Sequence, residues 1–184
     1  MIRFTSFIVA LLLVVTSNIS TACVGKTIHI AISSPNEKLI AEMASLMISE
    51  RTGSTVKIDV YDDTKSLYDA VKQGNVNILL ENTDNASVVL GQPKGTPAMT
   101  LDAIKSEYRK TYNLTWLTPF GVSPQYAHVL TSDTLANYPA LPKLLNKLSG
   151  VLAKDTYSKL LKSVSSDDKT KKTAKDFLKG KKLI

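Results

Sequence analysis

Cysteine is nearly absent from this sequence, since Cys23 is the only one among 184 residues. A single thiol excludes an intramolecular disulfide and a cysteine metal site. Histidine is also rare: His29 and His128 are the only two, and both fall inside predicted strands. The chain has no G-x-S-x-G elbow, P-loop or H-E-x-x-H motif. We therefore predict that the protein is not an enzyme and needs no cofactor.

Aromatic residues make up only 7% of the chain, and positive charge is scarce outside the C-terminal segment. Residues 143–184 carry 12 Lys against 4 Asp, whereas residues 23–142 carry 10 basic against 12 acidic side chains. With Tyr157 and Phe177 alone, the basic segment offers no stacking platform, so nucleic acid is not a predicted partner. A basic helical segment on an exported protein is attracted to anionic lipid headgroups, but charge patterning favours a solvated lysine-rich helix face.

The longest apolar run lies at the N terminus, where Arg3 precedes the stretch FIVALLLVV. This arrangement is typical of an export signal, and the run is too short to span a bilayer comfortably. Small residues before Cys23 fit signal cleavage, and the position of Cys23 suits a lipobox. We predict a signal peptide over 1–22 and an exported protein at the periplasm or cell surface. Lipidation of Cys23 is favoured, and secretion with a free thiol is the alternative.

Residues 23–184 are enough for one domain with its own core. The apolar period alternates between two and about 3.6, which predicts β-α-β-α-β and hence a parallel sheet with right-handed crossovers. Strands are predicted at 28–32, 56–60 and 76–80, and helices after Pro35-Asn36 and over 63–74. A loop at 91–97, a helix near 100–112, strands at 114–117 and 126–131 and further helices complete the predicted order.

Polar residues follow each of the three predicted parallel strands: Ser33-Ser34, Asp62-Asp63-Thr64 and the stretch ENTDN at 81–85. The carboxyl ends of parallel strands are where α/β sheets bind ligands. The same residue types are also selected as helix caps and turns, so both roles stay open. Their carboxylates could attract a hard cation, but the spacing matches no EF-hand loop and we predict no metal site.

Five segments carry a resemblance to a known family. They are NEKLIAEMASLM, DDTKSLYDAVKQGNVNILLENT, YRKTYNLTWLTPFG, YPALPKLLNKLSG and AKDFLKGKKLI. In order and spacing they resemble the substrate-binding proteins of glycine betaine, choline and carnitine ABC transporters. Members of that family bind quaternary amines between two lobes that close like a hinge.

The resemblance implies a reduced version of that architecture. The family has two strands that cross between its lobes, whereas this chain has one such strand, YAHVL at 126–130. We therefore expect an α/β fold that forms a single lobe of a class II periplasmic-binding-protein-like fold. Its mostly parallel sheet is flanked by helices, takes 126–131 as an antiparallel strand and is followed by C-terminal helices. A homodimer could restore a two-sided cleft.

The resemblance also implies a set of site positions. The family's glutamine near the first helix falls at Glu37 or Lys38, its Gly-Gly-Thr at 62–64, and a tyrosine and a threonine at Asn82 and Asn85. Only Tyr126 keeps an aromatic there, although each cation–π contact contributes only about 0.5–2 kcal/mol and a cage needs several. The predicted ligand-binding residues are Ser33, Ser34, Glu37, Asp63, Thr64, Asn82, Asn85 and Tyr126.

The aromatic residues near 116–126 have two interpretations. Trp116 and Phe120 are expected to pack in the core or cover the edge left by the absent lobe, because large aromatics favour burial. Tyr61 and Tyr68 are spare candidates beside the second strand, with helix-face packing the expected role of Tyr68.

Two functions follow from these observations. The first is an exported solute-binding component of an ABC transporter for glycine betaine or related quaternary amines and small polar solutes, working with a membrane permease. The alternative is a single-lobe interaction or accessory lipoprotein that has lost ligand clamping. A degenerate remnant of a former transporter component is a weaker third option.

Overall fold

The structure is a computed structural model that describes residues 27–153, 155–164 and 167–184. Its elements are, in chain order, β1 (Ile28–Ile32), a 3₁₀ turn (Pro35–Glu37), α1 (Lys38–Thr52), β2 (Val56–Val60), α2 (Thr64–Lys72), β3 (Ile78–Asn82), α3 (Thr83–Val89), α4 (Leu101–Tyr112), β4 (Leu114–Trp116), β5 (Tyr126–Thr131), α5 (Ser132–Asn137), α6 (Leu141–Val151), α7 (Thr156–Ser163) and α8 (Asp167–Gly180). The predicted signal peptide and Cys23 lie outside the described residues.

The five strands form one sheet in the order β2-β1-β3-β5-β4. β1 pairs in parallel with β2 and β3, as the alternating pattern predicts. β5 runs antiparallel to β3 and to β4, so the prediction of an added antiparallel strand is confirmed. The carboxyl ends of β1, β2 and β3 therefore meet at one edge of the sheet, which we call the carboxyl edge.

Helices cover both faces of the sheet. On one face, the first core packs the alternating isoleucines of β1 against α1, α6 and α8. On the other face, the second core joins Leu67 of α2, Tyr108 of α4 and Trp116 of β4. Trp116 and Phe120 are 5% and 1% exposed, which confirms that they are core residues.

The third strand corrects the sequence prediction. The apolar run predicts a strand over 76–80, but β3 spans Ile78–Asn82. Glu81 and Asn82 therefore lie in the strand and not in a loop after it. The polar residues can remain in the strand because side chains from three helices donate hydrogen bonds to the Glu81 carboxylate. The local sequence gives no sign of these distant donors. The sequence after β3 is compatible with either a helix or a loop, and the structure has helix α3 there.

Candidate functional site

The end of β1 is shaped by a turn that buries a carboxyl group. The Ser34 side chain accepts a hydrogen bond from the Asn36 N–H and caps the 3₁₀ turn. Glu37 Oε2 accepts from the N–H groups of Ser33 at 2.9 Å and Ser34 at 3.1 Å. Glu37 is only 1% exposed. The predicted site residues of this strand are thus bonded to one another.

The pKa of Glu37 lies close to neutral pH. Burial raises its pKa from 4.5 to about 7, with a smaller contribution from the charge of Glu81. The two backbone N–H donors oppose this change because they favour the carboxylate. Near neutral pH the group can therefore take up or release a proton when its surroundings change.

The end of β2 supplies an exposed carboxylate and a hydroxyl. Asp63 caps α2, where its Oδ1 accepts from the Ser66 N–H at 2.7 Å and the Ser66 hydroxyl at 2.5 Å. These hydrogen bonds lower the pKa of Asp63 and keep it ionised. Thr64 Oγ1 donates to Asn85 Oδ1 at 3.2 Å and so links the ends of β2 and β3.

The end of β3 is a cap backed by a buried carboxylate. Asn82 Oδ1 accepts from the Asn85 N–H at 3.0 Å and caps α3. Asn85 Nδ2 donates to Glu81 Oε1 at 2.9 Å. Glu81 is 2% exposed, and burial raises its pKa. The Asn85 side chain is therefore held in place from both sides, by Thr64 and by Glu81.

Tyr126 begins β5 directly opposite Asn82. Its half-buried ring stacks on Phe120 with centroids 6.0 Å apart and meets Tyr157 edge-on at 5.3 Å. The Tyr157 hydroxyl donates to the Asn36 carbonyl. Burial raises the pKa of Tyr126, and the nearby charge of Glu37 adds to the effect. Phe120, Tyr126 and Tyr157 form what we call the aromatic cluster, which lies beside Glu37.

The predicted residues fall into two groups at the carboxyl edge. Thr64, Asn82 and Asn85 share one hydrogen-bond network, with Asp63 beside them. Glu37 lies with Ser33, Ser34 and Tyr126 in the other. Charge effects between Glu37 and Glu81 connect the two groups.

A cavity of about 540 Å³ opens beside the first of these groups. Asp63, Thr64 and Asn85 line it, whereas none of Ser33, Ser34, Glu37 and Tyr126 does. Its remaining wall combines apolar and charged side chains: Lys65, Tyr68, Asp69, Lys72, Val88, Val89, Lys94 and Tyr112. Asp69 and Lys65 form a salt bridge of 2.8 Å in that wall.

Two tyrosine hydroxyl groups near this cavity bind Glu81, a contact that the sequence does not indicate. The hydroxyl of Tyr68 donates to Glu81 Oε2 at 2.7 Å, and that of Tyr108 does so at 3.3 Å. Tyr68 is buried, which confirms its packing role. The only signal for Tyr108 was its helical spacing from Ile104 in α4, which indicates burial but gives no information about Glu81.

The described residues include neither a metal-binding cluster nor a membrane-spanning helix. No group of three or more His, Cys, Asp or Glu side chains there is placed to hold a metal ion. None of the helices in this part of the chain is long and apolar enough to cross a bilayer.

These features define a class of protein: a single α/β lobe of the periplasmic-binding-protein type, with candidate ligand groups at its carboxyl edge. The chain belongs to the family of substrate binding domains of ABC-type glycine betaine transport systems, which matches residues 26–137.

Solved structures show the same fold. A glycine betaine/carnitine/choline ABC transporter structure aligns with a TM-score of 0.68 and 14% identity, over 86% of this chain and 98% of that one. Apo YehZ from Escherichia coli aligns with a TM-score of 0.70 and 14% identity, over 87% of this chain and 100% of that one. A search of curated protein sequences found no match.

Proposed function

We propose that the protein is the exported solute-binding component of an ABC transporter and that it binds glycine betaine or a related quaternary amine or small polar solute. Family membership over residues 26–137 supports the transport role. The predicted signal peptide and the candidate lipidation site at Cys23 support export and surface anchoring. In this role the protein delivers its solute to a membrane permease.

The observation that carries the choice of ligand is the Glu37 carboxyl group beside the aromatic cluster. Aromatic faces attract a cation by about 0.5–2 kcal/mol each, and a carboxylate attracts it more strongly where water is excluded. Tyr126 is half-buried, so part of its ring is open to a ligand. A single lobe supplies few aromatic faces. The Glu37 carboxylate therefore has to contribute much of the affinity for a cationic solute.

This arrangement couples binding to pH. The pKa of Glu37 is raised to about 7 by burial. A cation favours the carboxylate form and competes with the proton for it. We expect affinity for a cationic solute to rise between pH 5 and pH 7 and to level off above the pKa of Glu37.

Calorimetric titration with glycine betaine, choline, carnitine and basic amino acids tests the proposal. We expect heat with at least one quaternary amine and about tenfold weaker binding by Tyr126→Leu, the loss of one good cation–π contact. Tyr138→Leu is the matched control, because Tyr138 shares a cavity with Thr27 and Asn77 at the opposite end of the sheet. Absence of heat with every solute, or equal losses in both variants, would contradict the proposal.

The alternative function, a single-lobe accessory lipoprotein, is favoured by a different observation. Ser34, Asp63 and Asn82 all serve as helix caps, so internal bonds already occupy three of the candidate ligand groups. The large apolar side chains that are strongly exposed in the described part of the chain are Val60 and Val122. Light scattering and a pull-down from membranes distinguish the two functions: a monomer that binds solute and captures no partner would count against the accessory role.

A further inference from the structure

The C-terminal helix α8 has one buried face and one lysine-rich face. Ala174 and Leu178 are fully buried where the helix packs along α1. On the solvent side, Lys171, Lys175 and Lys179 are exposed and follow one another at i, i+4 and i+8. Residues at this spacing line up along a helix surface. We call these three residues the lysine row.

The lysine row is not neutralised within the described structure. Over residues 27–153, 155–164 and 167–184, no salt bridge joins any of the three ammonium groups to an acidic side chain whose position is described. Like charges at i, i+4 destabilise a helix slightly. The exposed Asp168 and Asp176 stand three residues before Lys171 and Lys179, and they reduce the positive charge of this face. Residues 167–184 nevertheless carry seven lysines against three aspartates. The C-terminal helix therefore offers a surface of net positive charge to an external anion.

The end of α8 lies at the edge of the sheet where β1 begins. The Leu183 carbonyl accepts hydrogen bonds from Arg51 Nε at 3.3 Å and Nη2 at 3.0 Å, at the C-terminal end of α1. Thr55, at the start of the adjacent strand, accepts from the Ile28 N–H at 2.8 Å. Lys181 and Lys182 are exposed beside this edge. The end of α8 and the start of β1 therefore lie at the same end of the sheet, opposite the carboxyl edge.

We propose that the lysine row, together with Lys181 and Lys182, docks the protein onto an anionic phospholipid surface. The charge is complementary, and each lysine near such a surface strengthens binding about fivefold. Cys23 is five residues before Ile28, a span of at most about 17 Å. Membrane anchoring is strengthened when a lipid group is combined with a basic patch.

Docking in this way also sets an orientation. Lys181, Lys182 and Ile28, the first residue of β1, lie at one end of the sheet. The carboxyl edge, with Glu37 and Tyr126, is at the other end of the parallel strands. Contact through Lys181 and Lys182, at the end of α8, would keep the candidate solute site directed away from the lipid.

Vesicle co-sedimentation of the full chain tests this inference, with phosphatidylcholine vesicles compared with vesicles that also contain phosphatidylglycerol. We expect the triple variant Lys171→Gln/Lys175→Gln/Lys179→Gln to bind the anionic vesicles about 100-fold more weakly than the unaltered chain. Raising the salt from about 0.1 M to about 1 M should abolish the preference, because the screening length falls to about 3 Å. The N-terminal segment is identical in all variants and cannot cause the difference.

The matched control is Lys72→Gln/Lys94→Gln/Lys110→Gln, which removes three exposed lysines from the other side of the sheet. It should retain most of the preference. Equal losses in the two triple variants would overturn the assignment to α8, as would equal binding of the unaltered chain to both vesicle types. If the chain is retained on immobilised polyglutamate but does not bind anionic vesicles, the lipid proposal is wrong and the partner of the lysine row is an acidic protein.

Discussion

His128 lies in the middle of β5 with no exposed surface. Neither ring nitrogen has a hydrogen-bond partner among the described residues. Burial lowers the pKa of His128 to about 3, because nothing compensates the charged form. In the unfolded chain a histidine titrates near 6.5. Below that pH the unfolded state binds a proton that the folded state excludes.

His128 should therefore make the protein sensitive to acid. The stability contribution is complete above pH 6.5 and is lost as the pH falls towards 3, by roughly 1.4 kcal/mol per pH unit. We expect His128→Phe, which keeps a ring beside Phe120, to become more stable than the parent as the pH is lowered from 7 to 4.5. Urea unfolding at several pH values measures the difference, and parallel curves for the two proteins would contradict the assignment.

Glu37 changes the folding stability in the opposite direction to His128 over nearly the same pH range. Its folded-state pKa of about 7 is above the ordinary 4.5, so the folded protein holds a proton that the unfolded chain has lost. Stability from this group is present below pH 4.5 and falls by about 3 kcal/mol as the pH rises to 7. We expect Glu37→Gln to gain stability relative to the parent as the pH rises from 4.5 to 7, because the amide oxygen can still accept from Ser33 and Ser34.

The two groups partly cancel in the unaltered protein between pH 4.5 and 6.5. Each single variant removes one of the two slopes. Urea unfolding should therefore give a stability that rises with pH in Glu37→Gln and falls with pH in His128→Phe. If both variants have the same slope in this window, at least one of the two burial effects is absent.

At the scale of helices and strands, Glu81 is the point where β3 joins three helices. Its carboxylate accepts from Tyr68 of α2, Asn85 of α3 and Tyr108 of α4. A buried carboxylate is costly unless donors satisfy it, and a satisfied network holds its members in one arrangement. Each of these helices is consequently positioned by one strand residue as well as by apolar packing.

This network also explains which elements the sequence could predict. The strands β1, β2 and β5 and the helices α1, α2 and α4 follow hydrophobic periods, so their positions and the strand directions were predicted within a few residues. β3 was predicted two residues early because Glu81 and Asn82 are polar. Their place in the sheet depends on Tyr68 and Tyr108, which are distant in sequence and leave no local signal.

The candidate site shows a second limit of the sequence. Ser34, Asp63 and Asn82 were expected at strand ends, where they could bind ligand or cap a helix. The structure places all three at helix N termini, and their caps do not decide whether a ligand also contacts them. The burial of Glu37 could not be predicted, since it depends on a backbone turn and on the Tyr157 helix far along the chain.

At the scale of the whole molecule, the C-terminal helices complete the first core. The family match ends at residue 137. Beyond it, Leu145 of α6, Tyr157 of α7 and Leu178 of α8 are buried against the same core as β1. These helices therefore share one packed core with the sheet, and we expect a change in α8 to destabilise the sheet.

Leu178→Ala tests this cooperation. Removal of a fully buried leucine costs about 2–5 kcal/mol, through lost burial and the cavity left behind. Trp116 is the only tryptophan, and it lies in the second core on the other face of the sheet. We expect its fluorescence to report a lower unfolding midpoint in urea, shifted by the same amount as the far-ultraviolet circular dichroism.

Lys175→Ala is the control for Leu178→Ala, because it changes an exposed position on the same helix and should leave both midpoints nearly unchanged. A separate C-terminal body would behave differently: Leu178→Ala would shift the dichroism while the Trp116 transition stayed in place. We expect the fluorescence and dichroism midpoints to shift together because α1 links the two parts of the fold. Helix α1 contacts α8 on one side and β1 and β2 on the other. Loss of packing at Leu178 then weakens the support that both parallel strands share.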